Sequence, residues 1–260
     1  MASDTPQRGR RRGIYLLPNL LTTGCLFFGF LAVVSAVNGE FGRAAASIYI
    51  AMVFDALDGR VARMTKTQSD FGVQYDSLAD MVSFGLAPAM VVFLWSLGAI
   101  GAGAPWDNLG WLAAFLYVAC AALRLARFNT QVGVADKRYF QGLPSPAAAG
   151  AVAGLVWFGS HWGLAGPEIA GPAGVLTVIA AVLMVSNVRY ESFKEFDLRY
   201  RVRFIVVVGL VLAVVLVAVH PPTALFLGFL SYLLSGPVLT VTRLRRKRAD
   251  RHPDSDAPGE

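Results

Sequence analysis

Four of the five aspartates in one 26-residue stretch, DALDGRVARMTKTQSDFGVQYDSLAD from Asp55 to Asp80, have the types and spacing to do chemistry: Asp55, Asp58, Asp76 and Asp80. Asp55 and Asp58 are three residues apart, and Asp76 and Asp80 are four apart. On helices each pair lies on one face, with Cβ atoms about 5–6 Å apart, and two such faces turned together make one site. Oxygen-only ligands select hard cations, so Mg²⁺ or Mn²⁺ fits this set better than zinc. All three histidines lie elsewhere in the chain. Four negative charges balance two divalent ions, and a pair of ions about 3.5–4 Å apart is a recurrent device for displacement at phosphorus. The small residues Gly59, Ala62 and Gly72 let a ligand come close to the backbone between the acidic pairs. The competing arrangement is internal ion pairing of the aspartates with Arg60, Arg63 and Lys66.

The elements that must position these groups belong to a membrane protein. The 260 residues are 55% hydrophobic and 15% charged, with a mean hydropathy of +0.54, which points to several membrane spans in a single domain. An ionised aspartate in such a setting costs about 2.5–3.5 kcal/mol on insertion scales, so a group of them calls for compensation. Runs of about 20 apolar residues fall at 16–37, 43–64, 74–98, 109–129, 145–163, 169–187, 203–220 and 222–241. Eight spans leave a basic arm over residues 1–15, a membrane catalytic domain over 16–241 and a polybasic, disordered tail over 242–260. The first run is longer than a signal-peptide core, contains Pro18, Asn19 and Thr22, and reads as an uncleaved span. Cys25 and Cys120 sit in apolar runs without metal-ligand or disulfide spacing and read as small buried hydrophobes.

Charge placement sets the orientation. Of the 23 lysines and arginines, 22 fall in the N-terminal arm, the tail and every second connection, and only Arg43 falls on the other side. The positive-inside rule then puts both termini and the Asp55–Asp80 segment at the cytoplasmic face. The net charge of +6 is therefore a membrane-orientation signal rather than a nucleic-acid surface. The basic part of the tail suits anionic headgroups.

The spacing D-x-x-D-G-x-x-A-R-x8-G-x3-D-x3-D is met without a gap by Asp55, Asp58, Gly59, Ala62, Arg63, Gly72, Asp76 and Asp80. It resembles the signature of the CDP-alcohol phosphatidyltransferase family. The resemblance implies an all-α integral membrane bundle of about eight helices, working as a homodimer in the cytoplasmic membrane of a prokaryote. It implies transfer of a phosphatidyl group from CDP-diacylglycerol to an alcohol with release of CMP. By position, Asp55, Asp58, Asp76 and Asp80 would hold two Mg²⁺ or Mn²⁺ ions, with Asp80 also the general base. Gly59, Ala62, Arg63 and Gly72 would surround the cytidine and diphosphate, together with Asp55, Asp58 and Asp76.

Four further segments resemble the branch that uses L-serine as acceptor. In YLLPNLLTTG, Asn19 and Thr22 lie one helical turn apart and would face the nucleotide. ALRLARFN supplies Arg124, Arg127 and Asn129, and SNVRYESFK supplies Lys194, with FQGLPSPAAAG between them. Arginine binds the carboxylate of an amino acid bidentately, and Arg124 and Arg127 are i,i+3 on one helix face. Glycerol phosphate, inositol phosphate or choline would be other acceptors for the same donor chemistry. A divalent-cation transporter is the alternative of another class, since aspartates inside membranes also mark ion paths. Transporters commonly repeat their site in two halves, and no counterpart of DALDG occurs after residue 100.

Overall fold

A computed structural model describes residues 8–65, 69–101, 108–131, 139–191 and 204–249. Each of the eight expected spans coincides with helix. The order is α1 (Arg8–Val37), α2 (Phe41–Thr65), α3 (Asp70–Asp80) continuing through a wide π turn (Met81–Leu86) into α4 (Ala87–Trp95), α5 (Leu109–Gln131), α6 (Ser145–His161), α7 (Ala170–Val185), α8 (Phe204–Val219) and α9 (Pro221–Ala249). Five segments are long and apolar enough to cross a membrane: Leu17–Val37, Asp70–Trp95, Leu109–Thr130, Gly166–Val185 and Pro221–Thr240. The other three are helices of a different kind. α2 carries the charges of Arg43, Asp55, Asp58, Arg60 and Arg63, while α6 and α8 have only 17 and 16 residues.

Two helices are longer than the apolar runs inside them. α1 is helical from the first described residue, Arg8, and runs through Pro18, and α9 is helical to Ala249. Arg, Lys and Ala propagate helix well, and cations complement the carbonyl end of the dipole, which favours the extension of α9. The expected all-helical fold also carries one small exception. β1 (Tyr139–Gln141) pairs antiparallel with β2 (Arg189–Glu191), forming where the entry to α6 meets the exit of α7. Three-residue strands leave no periodic trace in a sequence.

α6 is the centre of the bundle. Its first half, SPAAAGAVAG, is buried almost throughout, and it packs on α2, α4, α7 and α9. Between helices in lipid there is little hydrophobic drive, so close van der Waals contact of small residues takes its place. Tyr49 of α2 donates to the Gly150 carbonyl at 2.7 Å, tying α2 to this centre. Cys25 and Cys120 are both buried, as their apolar surroundings require.

The π turn has an identifiable cause. Pro88 has no N–H to give to the carbonyl four residues earlier, that of Phe84, and its ring crowds that oxygen. The turn widens, with the Ala87 N–H reaching back to the Val82 carbonyl. The Phe84 carbonyl accepts instead from Tyr117 Oη at 3.1 Å, and Tyr117 is fully buried. Asp80 is the residue immediately before this turn, so the Tyr117 bond supports the helix that carries it. Replacing Tyr117 by Phe leaves a buried carbonyl short of a donor, a loss of about 1–3 kcal/mol. The variant is expected to unfold at lower temperature in detergent; an unchanged midpoint would mean that the bond is not needed.

Candidate active site

α1 brings the two acidic helices together. Gly24 lies under the Phe54 ring of α2, where a Cβ would come within 2.6 Å of the ring edge. At Gly29 a Cβ would come within 2.7 Å of Ser83 Cα in the π turn. Larger residues at either position would push the helices apart. Ser83 Oγ donates to the Cys25 carbonyl at 3.0 Å, fixing the same contact from the other side. Ser69 caps α3 by accepting from the Gly72 N–H at 3.1 Å, as serine at this position commonly does.

The result is a tight group of carboxylates. One oxygen each from Asp55, Asp76 and Asp80 lies within 4.8 Å of the others. Asp58 is turned differently: its Oδ2 accepts from Thr22 Oγ1 at 2.7 Å, and it is 4% exposed. The Asp80 Oδ1 atom is buried with no hydrogen-bond partner. Among the described residues no lysine or arginine forms an ion pair with any of these four, and the one ion pair present joins Arg43 to Glu40 at the far end of α2. Internal neutralisation by Arg60 and Arg63 is thereby set aside. Arg60 and Arg63 are exposed, and Lys66 lies outside the described residues. Three carboxylates at this separation, one with an orphaned buried oxygen, have the donor chemistry of a hard divalent cation site.

The expected nucleotide residues border this cluster. Asn19 Oδ1 stands 3.5 Å from where a Cβ on Gly72 would be, and the Arg63 guanidinium folds over Gly59 with Nη1 3.6 Å from the equivalent point. Ala62 is half-buried one turn along. Thr22 does not present a free hydroxyl, since its proton goes to Asp58 or, at 3.1 Å, to the Pro18 carbonyl. The shorter, charge-assisted bond is the stronger of the two. Thr22 thus acts on Asp58, which spacing within α1 had no means of revealing. Thr23 and Tyr75, bonded at 3.0 Å, and Ser77 were also missed, because their partners come from helices remote in sequence.

Arg124, Arg127 and Asn129 form a second side. Arg124 Nη1 donates to Ser145 Oγ at 2.8 Å, its Nε is buried without a partner, and Asp80 is its largest electrostatic neighbour. Arg127 grips the end of α7, donating to the Val185 carbonyl at 3.4 Å and to Asn187 Oδ1 at 3.1 Å. Asn129 Nδ2 donates to Ser77 Oγ at 3.0 Å, next to Asp76. Lys194 lies outside the described residues. The segments ALRLARFN, FQGLPSPAAAG and SNV, distant in sequence, therefore meet at these side chains.

Residues 15–186 match the family model described as CDP-alcohol phosphatidyltransferase. A "CDP-diacylglycerol–serine O-phosphatidyltransferase" of Helicobacter pylori is 33% identical over 223 residues, covering 86% of this chain and 90% of that protein. A protein of the same name from Mycobacterium bovis is 37% identical, over 60% of this chain and 59% of its own. An "Archaetidylserine synthase" of Methanothermobacter thermautotrophicus is 32% identical, with 67% of this chain and 69% of the relative covered.

The geometry sets two expectations for Mn²⁺ uptake by the purified protein, followed as loss of the free-ion electron paramagnetic resonance signal. Asp76→Asn should abolish uptake, and Thr22→Val, which removes the donor to Asp58, should weaken it about tenfold. Uptake at the parental level in Asp76→Asn would rule out a cation site here.

Proposed function

The chain belongs to the CDP-alcohol phosphatidyltransferase family, and from that premise we propose that it transfers the phosphatidyl group of CDP-diacylglycerol to the hydroxyl of L-serine, giving phosphatidylserine and CMP. The observation that carries this reading is a three-carboxylate cluster facing the part-buried guanidinium of Arg124, whose Nε is buried without a partner and which forms no ion pair among the described residues. The first suits a diphosphate donor with its metal, and the second suits an acceptor that bears a carboxylate. The names of the relatives support serine over other alcohols.

Asp55, Asp58, Asp76 and Asp80 would hold Mg²⁺ or Mn²⁺, two ions in all, which would supply positive charge against the diphosphate and the charge that develops on its oxygens. Asn19, Thr22, Gly59, Ala62, Arg63 and Gly72 receive the CDP moiety, with Arg63 set against the diphosphate. Arg124, Arg127, Asn129 and Lys194 hold the acceptor. Asp80 takes the proton from the serine hydroxyl, whose oxygen attacks the β-phosphorus. The bond from that phosphorus to the CMP oxygen breaks, and CMP leaves with the electron pair. The acyl chains stay in lipid throughout. The protein works as a homodimer of eight-span subunits in the cytoplasmic membrane of a prokaryote, its termini and site facing the cytoplasm. Its arm and tail over 1–15 and 242–260 flank a catalytic domain over 16–241.

The test is incubation of the purified protein with CDP-diacylglycerol, Mn²⁺ or Mg²⁺ and, in parallel, radiolabelled serine, glycerol phosphate, inositol phosphate or choline. Label is expected in lipid with serine alone, and chelation by EDTA should stop it. Asp80→Asn should lose transfer while still binding nucleotide. Label entering lipid from another acceptor instead would reassign the substrate, and none from any acceptor would refute the proposal.

A further inference from the structure

The geometry points to Ser145 as the residue that positions Arg124 for a carboxylate-bearing acceptor, and so as a determinant of acceptor specificity. The inference rests on the reading above that Arg124 receives that carboxylate. Ser145 is the first residue of α6 and is 1% exposed. It follows the N-cap Pro144, whose side chain makes no cap bond, and its Oγ accepts from Arg124 Nη1 at 2.8 Å, across 21 residues of sequence.

Ser145 cannot drift, because the loop before it is pinned. The Gly142 N–H donates to the Val188 carbonyl and the Leu143 N–H to the Leu183 carbonyl, each at 2.9 Å. Gly142 takes a φ of +80°, and a Cβ there would run into the Met184 carbonyl. Pro144 restricts the next φ. These anchors lie at the end of α7 that Arg127 also grips. The hydroxyl is therefore held at a fixed point relative to both arginines.

The choice of a neutral partner matters. A carboxylate at the position of Ser145 would orient the guanidinium as well but would consume its charge. A hydroxyl fixes one nitrogen and leaves the positive charge for a ligand. With Nη1 committed, the Nε–H remains buried and unpartnered, on the side from which a planar guanidinium meets a carboxylate with parallel hydrogen bonds. An orphaned, desolvated N–H of this kind is costly unless something is bound to it.

The experiment is steady-state kinetics of the full chain with CDP-diacylglycerol, Mn²⁺ and varied serine, for the parent, Ser145→Ala, Arg124→Gln and the double variant. Loss of one hydrogen bond to a charged group predicts a rise of about tenfold in the KM for serine in Ser145→Ala. The KM for CDP-diacylglycerol and Mn²⁺ uptake should stay as in the parent. Because the hydroxyl acts through Arg124, the double variant should be no worse than Arg124→Gln alone, and Ser145→Thr should recover the parental KM. A parental serine KM in Ser145→Ala, additive losses in the double variant, or loss of Mn²⁺ uptake would each overturn the assignment. Arg124→Gln with a parental serine KM would overturn the acceptor reading itself; a response at Arg124 with none at Ser145 would overturn only the role of Ser145.

Discussion

Oxygens of three carboxylates lie within 4.8 Å of one another with no cation among the described residues paired to them, and the rest of the molecule is arranged around that constraint. At such a separation two full negative charges repel by roughly 3–4 kcal/mol even at the effective dielectric of a protein surface. The helices bearing them must be held together by forces that act elsewhere. A ligand that binds only the assembled cluster then stabilises the whole fold by mass action. A cation held by this cluster would thereby also hold the helices that bear it.

Holding the cluster falls to small residues rather than to bulky apolar ones. Gly24 and Gly29 let α1 lie against Phe54 and Ser83, and thereby against both acidic helices at once. The alanines and glycines of α6 let α2, α4, α7 and α9 converge on one axis. In lipid this close approach replaces the hydrophobic drive that a soluble core would use. The bulky side chains point outward instead: Phe27 and Phe30 of α1 and Phe115 of α5 are more than half exposed, as befits surfaces that meet acyl chains.

How much of this was legible in the chain depends on sequence distance. The acidic pairs were readable because each lies within two turns of one helix, and helical spacing alone puts Asp76 beside Asp80. The spans were readable because lipid demands long apolar runs. Thr22 was assigned to the nucleotide side, but its partner is Asp58, 36 residues away, and nothing local records that contact. Pro88 was visible in the third span, yet the π turn it causes also needs Tyr117 from α5 to satisfy the carbonyl it frees. Ser145 lay in a segment already noted, FQGLPSPAAAG, but its bond to Arg124 is tertiary. α1 and α9 run past the apolar segments because arginine and lysine continue a helix readily once it has started.

α5 ties the two halves of the site together. Tyr117 and Arg124 are seven residues apart, two turns along one face. The first supports the turn beneath Asp80, and the second interacts electrostatically with Asp80. A shift of α5 along its axis would move both, so the carboxylate half and the guanidinium half cannot be adjusted separately. The guanidinium half is open to adjustment through side chains that reach α5 from outside it, where Ser145 of α6 meets Arg124 and the end of α7 meets Arg127. One half is set within two adjoining helices, and the other by contacts among three helices that the sequence keeps apart.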